Sequence, residues 1–512
     1  MIRFSEPVVR VSISAYIYYQ LRSLDPSLSS AEVITQSAYL QTAFTLAQCI
    51  SSLLWGMVSD SPRGGRKLVI LISLSGSFIS CSLFGFITSY NQALILRILE
   101  GITNGTVAMV RTMVSEVVRE KKFQTRAFSL VPIASYIAVI VSPLVAGWTV
   151  QLGTSGHGHG FVKDHPYALP ALLNAGFLFL LLLATFLFLE ETSTSLRGRF
   201  DPGLALSARI KSLFCTGASW NTQSSNYLLV ESDDSNEEEM DFMKEVNGSD
   251  GSTTSESPGV PAQPKFEDVR LPTRRMFTTN MLLVLFSTLI YDFHLNSVST
   301  AMPNMLVDPV SSKAAEGSRM LPFRFGGGAG FTPQSLAWYT TVFGIVGIPM
   351  QIVVYPYLSQ RIGTIKLWRR FYLGFPLLYF AYPYVAIMPS STPPPSEKTG
   401  VVVWAYLVMI QTFTSFITSV VTPSQLVLTN LSSPHPSALG RTHSLTFFMS
   451  MAVRATSSAL AGNLYAFGST HNASGIVFWM SSIISCIGIL LTPFVREGDG
   501  HEIKLPGDDQ DQ

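Results

Sequence analysis

Ionisable side chains stand at several points where the surrounding sequence is almost wholly apolar: Glu6, Arg97, Glu100, Arg111, Asp292, His294 and Arg454. A carboxylate or imidazole in such a place can take up and release a proton, and a guanidinium can anchor a charged or polar ligand. That is chemistry of carrying rather than of bond-making. No Gly-x-Ser-x-Gly elbow and no Gly-x-x-x-x-Gly-Lys phosphate loop accompanies these residues. In a bilayer each such group is costly unless it faces a partner or an aqueous cavity, so each marks a candidate pathway. The densest set is LRILEGITNGTVAMVRT, Leu96 to Thr112. At 100° per residue Arg97, Glu100, Asn104 and Arg111 fall within about 60° of one another on a helix, with Gly101 and Gly105 beside the stripe. Two readings stand for Arg97 and Glu100: a polar face on a pathway, or an i to i+3 pair that neutralises both charges within one helix. On the helix over 277–300, Asp292 shares a face with Asn296 and Ser299, while His294 points about 200° away. One of the two faces a cavity and the other a neighbour.

The elements that must hold these residues follow from composition. The chain has 512 residues, of which 13% are charged and 47% hydrophobic, and Lys plus Arg (34) nearly cancel Asp plus Glu (33). Soluble proteins carry roughly a quarter charged residues. The balance gives no basic surface for nucleic acid, and the four cysteines have neither disulfide-scaffold nor metal spacing. The bilayer is the solvent this composition fits.

Apolar runs of about 20 residues, enough to cross ~30 Å of hydrocarbon, recur over 1–21, 33–57, 68–89, 92–114, 127–149, 168–189, 277–300, 334–357, 368–388, 401–430, 442–467 and 474–495. The first, interrupted by Arg3, Glu6 and Arg10, needs its neighbours to insert. Arg63, Arg66 and Lys67 follow the second run, Arg119, Lys121, Lys122 and Arg126 the fourth, and Arg361, Lys366, Arg369 and Arg370 the eighth. The positive-inside rule places those loops, and with an even number of crossings both termini, in the cytosol. Lys313, Arg319 and Arg324 after the seventh run oppose the rule locally.

The series divides into six runs over 1–190, a polar segment over 191–275, six runs over 276–495 and a tail over 496–512. Such length symmetry is that of transporters built from repeated halves. The segment from Glu231 to Glu239, followed by a Gly/Ser/Thr/Pro-rich stretch, has too few apolar residues to offset ordering entropy. It reads as a cytosolic disordered acidic linker, and Ser232 and Ser235 stand among acids as an acid-directed kinase would require.

The stretch WGMVSDSPRGGRKLVI (Trp55–Ile70) joins the second and third runs, with Gly56 suited to close helix approach, Asp60 at the helix end and Gly65-Arg66-Lys67 as a basic turn. It resembles the signature loop of the major facilitator superfamily, with two extra residues between aspartate and glycine and Ser61 where arginine is usual. Arg97, Gly101 and Gly105 match the Arg-x-x-x-Gly-x-x-x-Gly pattern of proton-coupled facilitators. In the fifth run Ser142-Pro143 stands where the drug:proton antiporter branch has Gly-Pro, and Ala134, Ala138, Ser142 and Ala146 keep a small-residue seam. RFSEP (Arg3–Pro7), FSLVP (Phe128–Pro132), LTNLSSPHPSALGRTHSL (Leu428–Leu445) and VRATSSALAG (Val453–Gly462) look like the zinc-induced facilitator-like transporters of plants and their fungal relatives.

The resemblance implies an all-α membrane protein of twelve transmembrane helices in two six-helix halves. It implies a transporter, not an enzyme, that moves a small molecule or ion by alternating access and couples it to protons; an uncoupled uniporter and a non-transporting sensor of the same fold are the alternatives. Glu6, Arg97, Glu100, Asn104, Asp292, His294 and Arg454 are then the transport and coupling residues, with His294 turned to the cavity. Gly56, Asp60, Gly65, Arg66, Lys67 and Arg111 form the gate, Asp60 meeting the start of the eleventh helix at Arg441-Thr442-His443-Ser444. Gly101, Gly105, Ser142 and Pro143 pack helices. No cofactor is expected, and no metal, since His157 and His159 among glycines lack further ligands. A monomer in the plasma or vacuolar membrane is expected.

Overall fold

The computed structural model describes residues 2–61, 64–117, 121–154, 160–192, 196, 200–214, 271–311, 320–435, 438–498 and 502–503. The side chains of Asp60, Arg111 and residues 115–131 are not among those described. The acidic run with Ser232 and Ser235, Cys215, and His157 and His159 also lie outside the described residues. Met1–Leu204 with Arg270–Gln512 make one compact unit, and Ala205–Val269 a second.

Among the described residues the first unit is helical apart from isolated bridges at Met320–Arg324 and Phe325–Ala473. Six long helices precede the segment over 191–275: α1 (Ser5–Leu24), α2 (Ser30–Asp60), α3 (Arg66–Phe84), α4 (Tyr90–Thr103 and Thr106–Val117), α5 (Lys121–Thr154) and α6 (Ala168–Phe188). Six follow it: α7 (Thr279–Val307), α8 (Pro333–Ile362), α9 (Thr364–Tyr372, Gly374–Ala381 and a 3-10 turn Tyr382–Ile387), α10 (Val401–Leu431), α11 (Leu439–Thr470) and α12 (Ile476–Leu491). Eight are long and apolar enough to span a bilayer by length and composition; charges in α1, polar residues in α11, the fragmentation of α9 and the shortness of α12 set the others apart.

Local chemistry sets the helix starts. Ser29 and Glu32 form a reciprocal capping box at α2, and Ser89, Thr278 and Thr332 accept from backbone N–H groups at the starts of α4, α7 and α8. Proline at the first position of α8 lacks the N–H that would otherwise be orphaned there.

The fourth run, expected as one helix, is interrupted at Asn104-Gly105. An interruption inside a membrane frees backbone groups that neighbours must satisfy. Here Trp55 Nε1 donates to the Ile102 carbonyl at 2.7 Å and Ser51 Oγ to the Gly101 carbonyl at 3.2 Å, while the Gly105 N–H donates to Ser73 Oγ at 2.9 Å. Gly101 lets α4 lie on α2: a Cβ there would meet the Phe44 carbonyl at 2.4 Å. The ninth run, expected as a continuous helix over 368–388, likewise begins at Thr364 and is built in short pieces.

The halves meet along two seams, α5 with α8 and α2 with α11. In the first, the Tyr136 ring sits against Gly347, the Ile140 side chain and the Tyr136 carbonyl sit against Gly344, and Gly147 lies under the Pro333 carbonyl. In the second, Gly462 lies on Ala38. The small residues Ala138, Ser142 and Ala146 are buried, but the groove facing α8 runs through Tyr136, Ile140 and Gly147 instead. Gly56 makes no close approach: no described atom lies within 4 Å of a Cβ built there. The side-chain space that Gly347 denies is occupied by an aromatic ring, so Gly347→Leu should cost about 1–3 kcal/mol of stability. The thermal midpoint of the purified protein should fall accordingly, while Gly56→Ala leaves it in place; equal shifts would mean that the seam is not closely packed.

Candidate functional site

Glu6, in the first turn of α1, is shared by two arginines of its own segment. Arg3 Nη1 lies 2.8 Å from one carboxylate oxygen and Arg10 Nε 3.5 Å from the other. Glu6 also lies close enough to Arg454 of α11 to feel its charge, and Arg10 feels both Arg454 and Arg97. Arg10 is thus within electrostatic reach of a charge in each half, and its side chain keeps 37% of its surface accessible. Arg454, half-way along the 32 residues of α11, is half-buried.

Nearer the end of the bundle away from the termini, Arg97 and Glu100 make a second group. Arg97 Nη1 donates to Glu100 Oε2 at 2.6 Å and Nη2 to Gln41 Oε1 of α2 at 3.2 Å, and the guanidinium lies 4.5 Å from the centre of the Phe44 ring. Arg97 is 2% exposed and Glu100 4%. The pair within one helix is thus formed, and it is held by α2. Asn104 closes the first segment of α4 and is buried, with its Oδ1 unpartnered, so the stripe expected to continue to Arg111 is broken there. The Arg111 side chain lies outside the described residues.

On α7 the two ionisable residues part as their spacing requires. Asn296 Nδ2 reaches the Arg454 carbonyl at 2.9 Å and the hydroxyls of Ser457 and Ser458 at 2.9 and 2.8 Å, so the face that Asp292 shares is turned to α11. His294 is not on the cavity, which corrects the expectation for it. It is fully buried, with Nδ1 bonded to the Tyr379 hydroxyl and Nε2 to that of Tyr372, both at 2.9 Å, and Tyr291 and Phe375 close the cage. The sequence signal was the aromatic spacing Tyr372, Phe375, Tyr379 on α9, one helical face.

The loop from α2 to α3 is tied within the first half. Glu191, just beyond α6, accepts from the Arg66 and Lys67 backbone N–H groups at 3.0 and 2.9 Å, placing a negative charge at the N-terminus of α3. Gly65 is required, with φ at +108° and no room for a Cβ beside that carboxylate. Lys67 Nζ pairs with Asp201 at 2.6 Å. The Asp60 side chain and its expected meeting with α11 lie outside the described residues.

At the opposite end of the bundle Asp308, just past α7, accepts hydrogen bonds from Tyr465 and Ser469 of α11 at 3.2 and 3.1 Å. Burial pushes its carboxyl up to about 6, against the downward pull of Ser469, Tyr465 and Arg22. Tyr19 of α1 donates to the Phe331 carbonyl and Tyr39 of α2 to Asn463 of α11, joining the halves. None of Gln41, Glu191, Asp201 or Asp308 stood out as a site residue in the sequence, because each gains its role from a partner far along the chain.

A sequence profile described as Major Facilitator Superfamily matches residues 11–290, more than half of the chain. The chain belongs to the major facilitator superfamily. Among curated proteins this facilitator is 26% identical to the major facilitator superfamily multidrug transporter mfsB of Aspergillus fumigatus, over 97% of the chain and 82% of that protein. It is 26% identical to ZINC INDUCED FACILITATOR-LIKE 1 of Arabidopsis thaliana over 34% of the chain and 37% of that protein. Among solved structures a D-xylose-proton symporter superposes with a TM-score of 0.62 at 12% identity, covering 98% of this chain and 97% of that one, which shows the shared fold. The facilitator is thus a multi-pass integral membrane protein of twelve helices and a secondary transporter, not an enzyme, acting on a small-molecule substrate.

Two expected outcomes follow from this geometry. Breaking a buried ion pair by removing one partner costs about 3–5 kcal/mol, whereas replacing both is far milder. Arg97→Gln or Glu100→Gln alone should therefore lower folded yield and thermal midpoint strongly, and the double variant should recover most of the loss; no recovery would show that the two act separately. Loss of a helix cap costs about 0.5–2 kcal/mol, so Glu191→Ala should lower the midpoint of the purified facilitator and Glu190→Ala, an exposed neighbour, should not. Matching effects from the two would remove the capping role.

Proposed function

We propose that the chain is a proton-coupled transporter of a small organic solute, with Glu6 as the proton site. The observation that carries this reading is the position of Glu6: bonded to Arg3 and Arg10 of the first half and within electrostatic reach of Arg454 of the second. Protonating one carboxylate there changes the attraction across the gap between the halves, which is the event that alternating access needs. Asp292, on the α7 face turned to α11, is the second candidate. The printed name of the Aspergillus relative, a multidrug transporter, supports an organic solute.

In this reading residues 1–190 and 276–495 are the rocking halves, 191–275 is a cytosolic tether open to a kinase, and 496–512 is a tail. Both termini lie in the cytosol, supported by Arg66, Lys67, Arg361, Lys366, Arg369 and Arg370 at the end of the bundle that carries them. The loop from Asp60 to Lys67 is the gate on that side. The working form is a monomer in the plasma or vacuolar membrane.

In proteoliposomes with an imposed pH gradient, Glu6→Gln should abolish gradient-driven accumulation of solute yet keep exchange at equal pH, because the proton site is lost and the solute path is not. Asp292→Asn is measured beside it. Accumulation that persists in both neutral variants would sink the proton-coupled reading and leave an uncoupled facilitator.

A further inference from the structure

We infer that the solute taken up between the halves carries an anionic group, and that Arg454 is its anchor with Arg10 as neighbour. This deepens the transport reading above and rests on it. Each other arginine of the cluster has its carboxylate: Arg97 has Glu100, and Arg3 and Arg10 share Glu6. Arg454 has none. Among the described residues no carboxylate or carbonyl lies within bonding distance of its guanidinium, and what α7 takes from Arg454 is its backbone carbonyl. One carboxylate for Arg3 and Arg10 leaves a positive charge over, and Arg454 adds a second; Asp292 on the facing helix offsets one of the two at most. The Nε of Arg10 is itself buried without a hydrogen bond, while its side chain keeps part of its surface accessible.

An unmatched guanidinium at mid-helix in a spanning protein is stable only beside water or a ligand that replaces it. A carboxylate, sulfonate or phosphate satisfies its planar fork with two parallel hydrogen bonds, which a neutral solute cannot do. A cationic solute meets like charge at low dielectric. The geometry of the cluster therefore selects organic anions.

Two dyes with the same ring system separate the cases: fluorescein, an anion bearing a carboxylate, and rhodamine 6G, a cationic ester. Saturable binding to the purified full-length chain is read by fluorescence anisotropy at neutral pH, with no gradient. The expected result is binding of fluorescein roughly ten-fold or more tighter than of rhodamine 6G, the factor one charge-assisted hydrogen bond is worth. Arg454→Gln should lose that preference, Arg454→Lys should keep part of it, and Arg454→Glu should reverse it. The proposal is overturned if the wild-type chain fails to bind fluorescein, binds the cation as tightly, or keeps its preference in a folded Arg454→Gln variant. Where a variant does not fold, the preference of the wild-type chain between the two dyes decides. Arg454-dependent binding of fluorescein without gradient-driven flux leaves the anion site standing and removes proton coupling; gradient-driven flux of rhodamine 6G does the reverse.

Discussion

A backbone carbonyl inside a bilayer has no water to turn to, and the interruption of α4 at Asn104-Gly105 makes that constraint decisive. The carbonyls of Gly101 and Ile102 beside the break are met from α2 by Ser51 and Trp55, which fixes α4 on α2 in one register. That register sets Arg97 beside Gln41 and Phe44, so the buried ion pair has a third and a fourth partner instead of standing alone. The same α2 forms a seam with α11, the helix of Arg454. One satisfied break thus positions the charged layer of the first half and links it to the second.

Alternating access asks of the seams that they hold and yet slide. Small residues against backbone supply attraction through dispersion without specific polar ties. The hydrogen bonds that do cross between halves are few among the described residues and are single ones, from Tyr19, Tyr39 and Tyr136, the last with Ser419, and a weak one from Cys49 Sγ to the Phe448 carbonyl. Within each half there are also ionic and multiple ties, as at Glu191 with α3 and Asn296 with α11. Strong bonds inside bodies and weak ones between them are what rigid-body rocking requires.

Much of this was legible in the sequence. Apolar runs of spanning length located all twelve helices, since the bilayer imposes its thickness on composition directly. Helical angle separated Asp292 from His294 and put Arg97 within reach of Glu100, leaving the pair and a pathway face both open; the structure forms the pair, a relation local to one helix. Which face meets which neighbour was not local, and there the reading went astray: His294 found two tyrosines of α9 rather than a cavity, and Gly56 found no close neighbour at all. The helix break was signalled by Thr103-Asn104-Gly105, a turn-forming trio, but a periodic stripe running through it looked continuous. Glu191 was visible only as an acid after α6; its role depends on an N-terminus some 125 residues earlier in the chain.

Glycine against backbone also insulates. At Gly147 the space for even a single Cβ is bounded by the Pro333 carbonyl at 3.0 Å, and at Gly462 by the Ala38 methyl at 2.2 Å. A water molecule does not fit such gaps, and without water no proton wire threads them. Each elementary charge crossing a membrane at 100 mV releases about 2.3 kcal/mol. A seam that admitted a file of water would short-circuit that voltage whether or not solute was moving. The same close contact that lets the halves slide therefore keeps the membrane charged while they do.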